Sequence, residues 1–356
     1  MRVVAAALIT TFLACESSSS DKAPADASSS GDTSSSVGDD ATTEGDTSDP
    51  SPEEDVSAPA PDVEEPADGP GALAVYSEGT CPTFEAGTQT FRSSGLDREV
   101  VVTLPTNPEG AGVVFLWHGF GDTHQNFSDV LGAKGMSKSE NVITVAPQAV
   151  VEPMESEKLK PYAAVAGMMG PLPPTWSILD GPEPDLTLFD DLLTCLNTQF
   201  AVDRTRVYTF GFSQGAIFSG RLVMERADVL ASAALWSGGL GSTGGIVEVV
   251  RIPYATPSRK IPVLAVAGGV PDLWPNEQLP LVNFQTGTDE LSTGLLGDGH
   301  AVVACNHGLG HTIPGDGLTW GLEFMFAHVW TADGDSPYYG HDGKGFPKYC
   351  TMPPAR

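Results

Sequence analysis

The sequence predicts an α/β chain built on one mostly parallel, doubly wound sheet with helices on both faces, and three observations carry that expectation. Apolar runs such as Val113-Val114-Phe115-Leu116-Trp117 and Val142-Ile143-Thr144-Val145-Ala146 are continuous rather than alternating, as strands covered on both faces require. Stretches of helical character separate these runs along much of the chain, which is β-α-β punctuation. Finally, Val207-Tyr208-Thr209-Phe210 runs through Gly211-Phe212-Ser213-Gln214-Gly215 into a helical stretch, so strand must turn to helix within five residues.

The elements are expected in this order. Gln89 to Arg92 and Arg98 to Leu104 read as two strands, the second ended by Pro105, and form an antiparallel entry into the sheet. The Val113 and Val142 strands follow, with one helix around Asn126 to Lys138 between them. A helix from about Leu186 to Phe200 precedes the Ser213 strand and helix, and further strands are expected at Ala231 to Leu235, Val263 to Ala267 and Ala301 to Ala304. A terminal helix at about Gly317 to Val329 closes the fold.

Only part of the 356 residues serves this fold. Residues 1–15 carry a single charge, Arg2, then an apolar run too short to span a bilayer, and read as a secretory signal. Phe12-Leu13-Ala14-Cys15 resembles a bacterial lipobox, which makes Cys15 the expected lipidation site and membrane anchor. From Glu16 to Pro70 there is no aromatic residue and one basic one, Lys22. Sixteen acidic residues there hold more than half of the chain's net charge of −28, so residues 16–72 are expected to be a disordered acidic tether. Residues 73–356 are the expected folded domain. No cluster of Lys and Arg appears in it, which argues against nucleic-acid partners.

Four cysteines remain after Cys15: Cys81, Cys195, Cys305 and Cys350. In an exported chain an even number implies two disulfides, with three connectivities open; a buried free thiol at Cys195 is the alternative. Their wide spacing, with no paired histidines, offers no metal site.

Residues just past the strand ends are the candidates for chemistry. Ser213, held between Gly211 and Gly215 at a helix N-terminus, is placed as a nucleophile elbow places its serine. Trp117-His118-Gly119-Phe120-Gly121 follows the third strand, and the N–H groups of Phe120 and Gln214 are the expected oxyanion donors. Asp272, in the loop after the Val263 strand, is the expected acid, with Asp289 as its competitor. His311 is the expected base, with His307 as the other candidate, and the order Ser213, Asp272, His311 fits that of a hydrolase.

These motifs resemble an α/β-hydrolase of the poly(3-hydroxybutyrate) depolymerase and feruloyl or acetyl-xylan esterase group over about residues 75–330. The matching residues are His118-Gly119-Phe120-Gly121, Val202-Asp203 to Val207-Tyr208, Gly211 to Gly215, Ser237-Gly238-Gly239, Asp272 and Gly310-His311-Thr312-Ile313-Pro314. The resemblance implies a secreted, cofactor-free esterase that hydrolyses a small or polymeric ester through an acyl-enzyme. Gln214 departs from that group and is similar to carboxylesterases and acyl-thioesterases. A hydrolase-like surface protein that only binds is the reading from another class. Residues 148–185, with Tyr162, Met168, Met169, Trp176 and six prolines between Pro153 and Pro182, form a long segment expected to be a lid or a pocket wall, or else an insertion packed on the core. Trp176, Trp236 and Trp274 are the candidate pocket residues.

Overall fold

A computed structural model describes residues 69–152, 172–178, 183–241, 250 and 252–356. Cys15, the expected signal and nearly all of the acidic segment lie outside the described residues, as do Tyr162, Met168 and Met169 of the 148–185 segment.

The strands, in chain order, are β1 (Gly87–Ser93), β2 (Leu96–Thr103), β3 (Gly112–Trp117), β4 (Val142–Pro147), β5 (Val207–Phe212), β6 (Ser232–Trp236), β7 (Val263–Ala267), β8 (Leu273–Asn276), β9 (Leu279–Asn283), β10 (Val302–Asn306) and β11 (Cys350–Thr351). Among the described residues nine of them make one sheet in the order β1-β2-β4-β3-β5-β6-β7-β10-β11, and β8 and β9 pair separately. From β4 to β10 neighbouring strands are parallel, while β1-β2, β2-β4 and β10-β11 are antiparallel.

Side chains of these strands divide between two cores as the pleat demands. Val113, Phe115 and Trp117 face one core, which takes up helices α3 (Pro184–Phe200), α4 (Gln214–Glu225) and α5 (Phe284–Gly297). Val114 and Leu116 face the other, with α1 (His124–Val130), α2 (Ala133–Glu140) and α6 (Gly317–Phe326). Double coverage is the physical reason the strand sequences read as unbroken apolar runs.

Several expectations change at the boundaries. The single helix expected around Asn126 to Lys138 is two, because Gly132 adopts φ 66° between them, a left-handed conformation that a continuing helix cannot contain. The last helix ends at Phe326, and residues 327–356 continue around the sheet edge to β11 rather than ending the fold there. Bonding to the folded part starts ahead of Leu73: Gly71 N–H donates to Asp228 O, and Arg204 donates to the carbonyls of Pro70 and Gly71. Both cysteine pairs are closed. Cys81–Cys195 ties the chain ahead of β1 to α3, and Cys305–Cys350 ties β11 to β10, so Cys195 is not a free thiol.

Candidate active site

The chain leaves β3 towards β4 on one side and later leaves β5 towards β6 on the other, so the winding reverses between β3 and β5. Such a reversal leaves a crevice at the carboxyl ends of the strands. Ser213 follows β5 there, in a backbone conformation of φ 56° and ψ −123° that few non-glycine residues adopt. Strain of this kind costs on the order of 1–3 kcal/mol and persists only where the surroundings impose it. They do so here: a Cβ on Gly211 would lie 2.3 Å from Gly215 O, and one on Gly215 would lie 1.9 Å from Trp117 O. Ser213 N–H donates to Trp236 O at 2.8 Å, which leaves the side chain 6 % exposed at the rim of the crevice.

Asp272 is fully buried in the turn after β7. Its Oδ2 accepts the Gly268 N–H at 2.6 Å, and its Oδ1 lies 2.7 Å from His311 Nδ1. His311 Nε2 lies 2.8 Å from Ser213 Oγ. A carboxylate only accepts, so Nδ1 carries the proton and donates it to Asp272, leaving Nε2 free to accept the Ser213 O–H. The imidazole packs against two phenyl rings, Phe284 stacked at 4.2 Å and Phe212 tilted at 4.9 Å. Phe284 N–H also donates to Asp272 O, so one residue braces both partners. Hydroxyl, imidazole and carboxylate in this order can activate an oxygen nucleophile and hold the proton it gives up.

The competing residues stand apart from this chain of bonds. Asp289 is exposed on α5 and accepts from Gln285. His307 is half-buried, its Nδ1 accepts the Leu309 N–H, and burial pushes its pKa down.

The 118–120 turn meets the serine from β3: a Cβ on Gly119 would sit 3.2 Å from Ser213 Cβ. Among the described residues, neither the Phe120 nor the Gln214 N–H is given to a backbone carbonyl. Of the three tryptophans expected in a pocket, only Trp274 is partly open to solvent; it meets Phe120 edge-on at 5.3 Å. Trp176 and Trp236 are 0 % exposed and correct that expectation. Trp236 packs under α6 against Trp320, on the far face of the sheet. Trp176 lies beneath the turn, its indole N–H donating to His118 O. Phe212 and Phe284 were not singled out from the sequence. Phe212 adjoins the serine, which was a usable signal, whereas nothing local to Phe284 indicated it. Among the described residues no group of three or more His, Cys, Asp or Glu could hold a metal ion.

The sheet order, the reversal and the loops after β3, β5, β7 and β10 define an α/β-hydrolase fold. The crystal structures of native sOPH and native pOPH share it. The first is 19 % identical with a TM-score of 0.54 over 78 % of this chain and 97 % of that one; the second is 18 % identical with a TM-score of 0.54 over 78 % and 98 %. In sequence the chain is similar to feruloyl esterase D of Neurospora crassa, 28 % identical over 197 residues, 54 % of this chain and 63 % of that protein. The match thus spans less than two thirds of the relative's length. No protein-family model matches the chain.

Proposed function

We propose that the chain is a serine carboxylic-ester hydrolase with Ser213 as nucleophile, His311 as general base and acid, and Asp272 as the group that orients His311. The observation that supports this reading is the unbroken relay from Ser213 Oγ through His311 to the buried Asp272 carboxylate, at 2.8 and 2.7 Å. Ser213 Oγ adds to the ester carbonyl carbon while Nε2 takes its proton. The negative charge that develops on the carbonyl oxygen is met by the N–H groups of Phe120 and Gln214. The tetrahedral intermediate collapses to the acyl-enzyme, Nε2 returns the proton to the departing alcohol, and water repeats the sequence to release the acid. Asp272 stays ionised and stabilises the imidazolium in both halves.

Kinship to a protein named feruloyl esterase D makes esters of aromatic acids the first substrates to try, with acetylated xylan and polyhydroxyalkanoate next. Trp274 and Phe120 at the mouth would meet the acyl or alcohol part. Export is supported by the two disulfides, which persist in oxidising compartments. Within this reading residues 1–15 are a lipoprotein signal, Cys15 carries the anchor and residues 16–72 are the tether, its last residues meeting the domain at Arg204.

Ser213→Ala tests the core of the proposal. Turnover of p-nitrophenyl butyrate and methyl ferulate should fall to background while the melting temperature stays within a degree or two, since little buried surface is lost. Turnover near that of the wild type would remove Ser213 from the mechanism. A wild-type chain that turns over no ester in the panel would favour the binding-only reading.

A further inference from the structure

The fully buried Trp176 bonds to both sides of the oxyanion site at once. Its indole Nε1–H donates to His118 O at 2.9 Å, and its backbone N–H donates to the Gln214 side-chain Oε1 at 3.3 Å. One residue therefore links the turn that bears the Phe120 N–H to the residue that bears the second donor.

The His118 ring completes the linkage. Its Nε2 accepts the Ala149 N–H at 3.2 Å, so the ring proton sits on Nδ1, which donates to Gly119 O at 2.8 Å. Burial lowers the His118 pKa, in keeping with a neutral ring that has one donor and one acceptor. In a trans peptide the C=O and N–H point in opposite directions. Holding Gly119 O therefore aims the Phe120 N–H, and holding His118 O fixes the peptide before it. Both carbonyls of the turn are thus held, Gly119 O also by the Asp122 N–H at 3.1 Å, and the N–H that matters is turned the other way.

Trp176 is itself firmly held. Thr175 exchanges two backbone hydrogen bonds with Val151 at 2.7 and 3.1 Å. Ser177 gives its N–H and its hydroxyl to Asp185 Oδ2 at 2.5 and 2.8 Å, and Asp185 pairs with the buried Arg98 at 2.5 Å. Arg221 donates to Ser177 O at 2.7 Å. The indole packs edge-on against Trp117 at 5.0 Å and stacks on Phe218 at 5.9 Å. A side chain so constrained can impose geometry on its neighbours.

We propose that Trp176 is a positioning residue for the oxyanion site, acting through His118 O on the Phe120 donor and through the Gln214 side chain on the Gln214 donor. This rests on the esterase reading above. Its consequence is that the segment around Trp176 governs the rate of the chemical step rather than the fit of the substrate.

The test uses the full chain with two single variants and their combination. Trp176→Phe keeps an aromatic ring and removes the indole donor; Gln214→Met keeps the side-chain length and the backbone N–H and removes the acceptor. The probe is trifluoroacetophenone: Ser213 Oγ adds to its carbonyl carbon, the serine proton passes to His311, and the ketone oxygen becomes an oxyanion in the site. The corresponding alcohol fills the same space and forms no adduct. Each variant should lose roughly ten- to a hundredfold in ketone affinity and in kcat on p-nitrophenyl butyrate, short of the hundred- to thousandfold for removal of a donor. KM and affinity for the alcohol should hold within about twofold, and the double variant should lose less than the product of the single losses. Ketone and alcohol affinities that fall together, or neither falling, would overturn the proposal. If Trp176→Phe does not fold, Gln214→Met alone decides between these outcomes. Failure of the esterase reading is distinguishable: the wild type would then bind the ketone no better than Ser213→Ala does, and both proposals would fall.

Discussion

Two histidines, one past β10 and one past α6, are wired alike and differ in one partner and in burial. At the crevice, His311 donates from Nδ1 to Asp272 and accepts at Nε2 from Ser213, against Phe284 and Phe212. Beyond α6, His328 donates from Nδ1 to Phe324 O at 2.8 Å and accepts at Nε2 from Ser336 Oγ at 2.8 Å, beside Phe324 and Tyr338. Tautomer, hydroxyl partner and aromatic neighbours correspond. The difference is that His311 faces a carboxylate and keeps some exposure, whereas His328 faces a neutral carbonyl and is buried. A carboxylate stabilises the imidazolium that a base must become; burial disfavours it and outweighs the hydrogen bond to the Phe324 carbonyl, and the His328 pKa is pushed down to about 4. Hydrogen-bond geometry alone therefore does not mark a proton acceptor. Burial of the ring and the charge of the group behind it count as well.

Exchanging the two sites' losses gives the sharpest contrast. His311→Ala should lower kcat by about four orders of magnitude or more with little change in melting temperature. His328→Ala should do the reverse, leaving kcat within a few-fold and costing about 2–4 kcal/mol, or roughly 5–10 °C, through a cavity and two unpaired groups. Steady-state kinetics and thermal melts on both variants settle it; a His328→Ala protein that melts normally and turns over slowly would invert the assignment.

Acid should separate them next. Because the folded pKa of His328 lies below the unfolded value of about 6.5, the unfolded chain binds the extra proton first. Stability is full above about pH 6.5 and falls as the pH drops towards about 4, by on the order of 3 kcal/mol from this residue. His118 and His300, also lowered by burial, add in the same direction. Urea unfolding of wild type and His328→Gln at pH 7 and pH 4.5 should show the smaller acid loss in the variant, and equal losses would exclude His328 as a source.

His307→Ala probes a ring four residues from His311 that has no hydrogen-bonded carboxylate. It should cost about 1 kcal/mol or less in stability and leave kcat within a few-fold; a loss comparable to that of His311→Ala would make His307 the base. The smallest effect is expected from removing residues 1–68. A chain starting at residue 69 keeps the Pro70 and Gly71 contacts with Arg204 and should match the full chain in kcat/KM and in melting temperature. A drop of more than a few degrees would mean that the acidic segment packs on the domain.

Much of this was readable from the sequence because the serine, the aspartate and the histidine each follow a strand whose apolar run is unmistakable. Ser213, Asp272 and His311 needed only chain order and strand ends. What was hidden depended on the third dimension. Residue type cannot say which of Trp176, Trp236 and Trp274 keeps its surface, and two of the three are covered by core packing on opposite faces of the sheet. The β8–β9 hairpin contains Pro275 and Pro280, which argue against a strand when read locally. Helix α5 places Phe284, Leu291 and Leu295 on the core among Gly, Ser and Thr, a composition with weak helical propensity. The two residues of β11 are too few to carry any period at all.

The pairing of β3 with β5 has a consequence for how such a site can change over time. Trp117 lies in register with Gly211, so the turns that carry the Phe120 and Gln214 N–H groups start from paired positions on neighbouring strands, about 4.8 Å apart. The starting points of the two turns are thus set by the sheet, while the aim of the two N–H groups rests on what holds the turns. Within the esterase reading proposed above, a segment such as the β8–β9 hairpin can be lengthened, shortened or exchanged to suit another ester without moving those starting points, so substrate range can drift where the chemistry cannot.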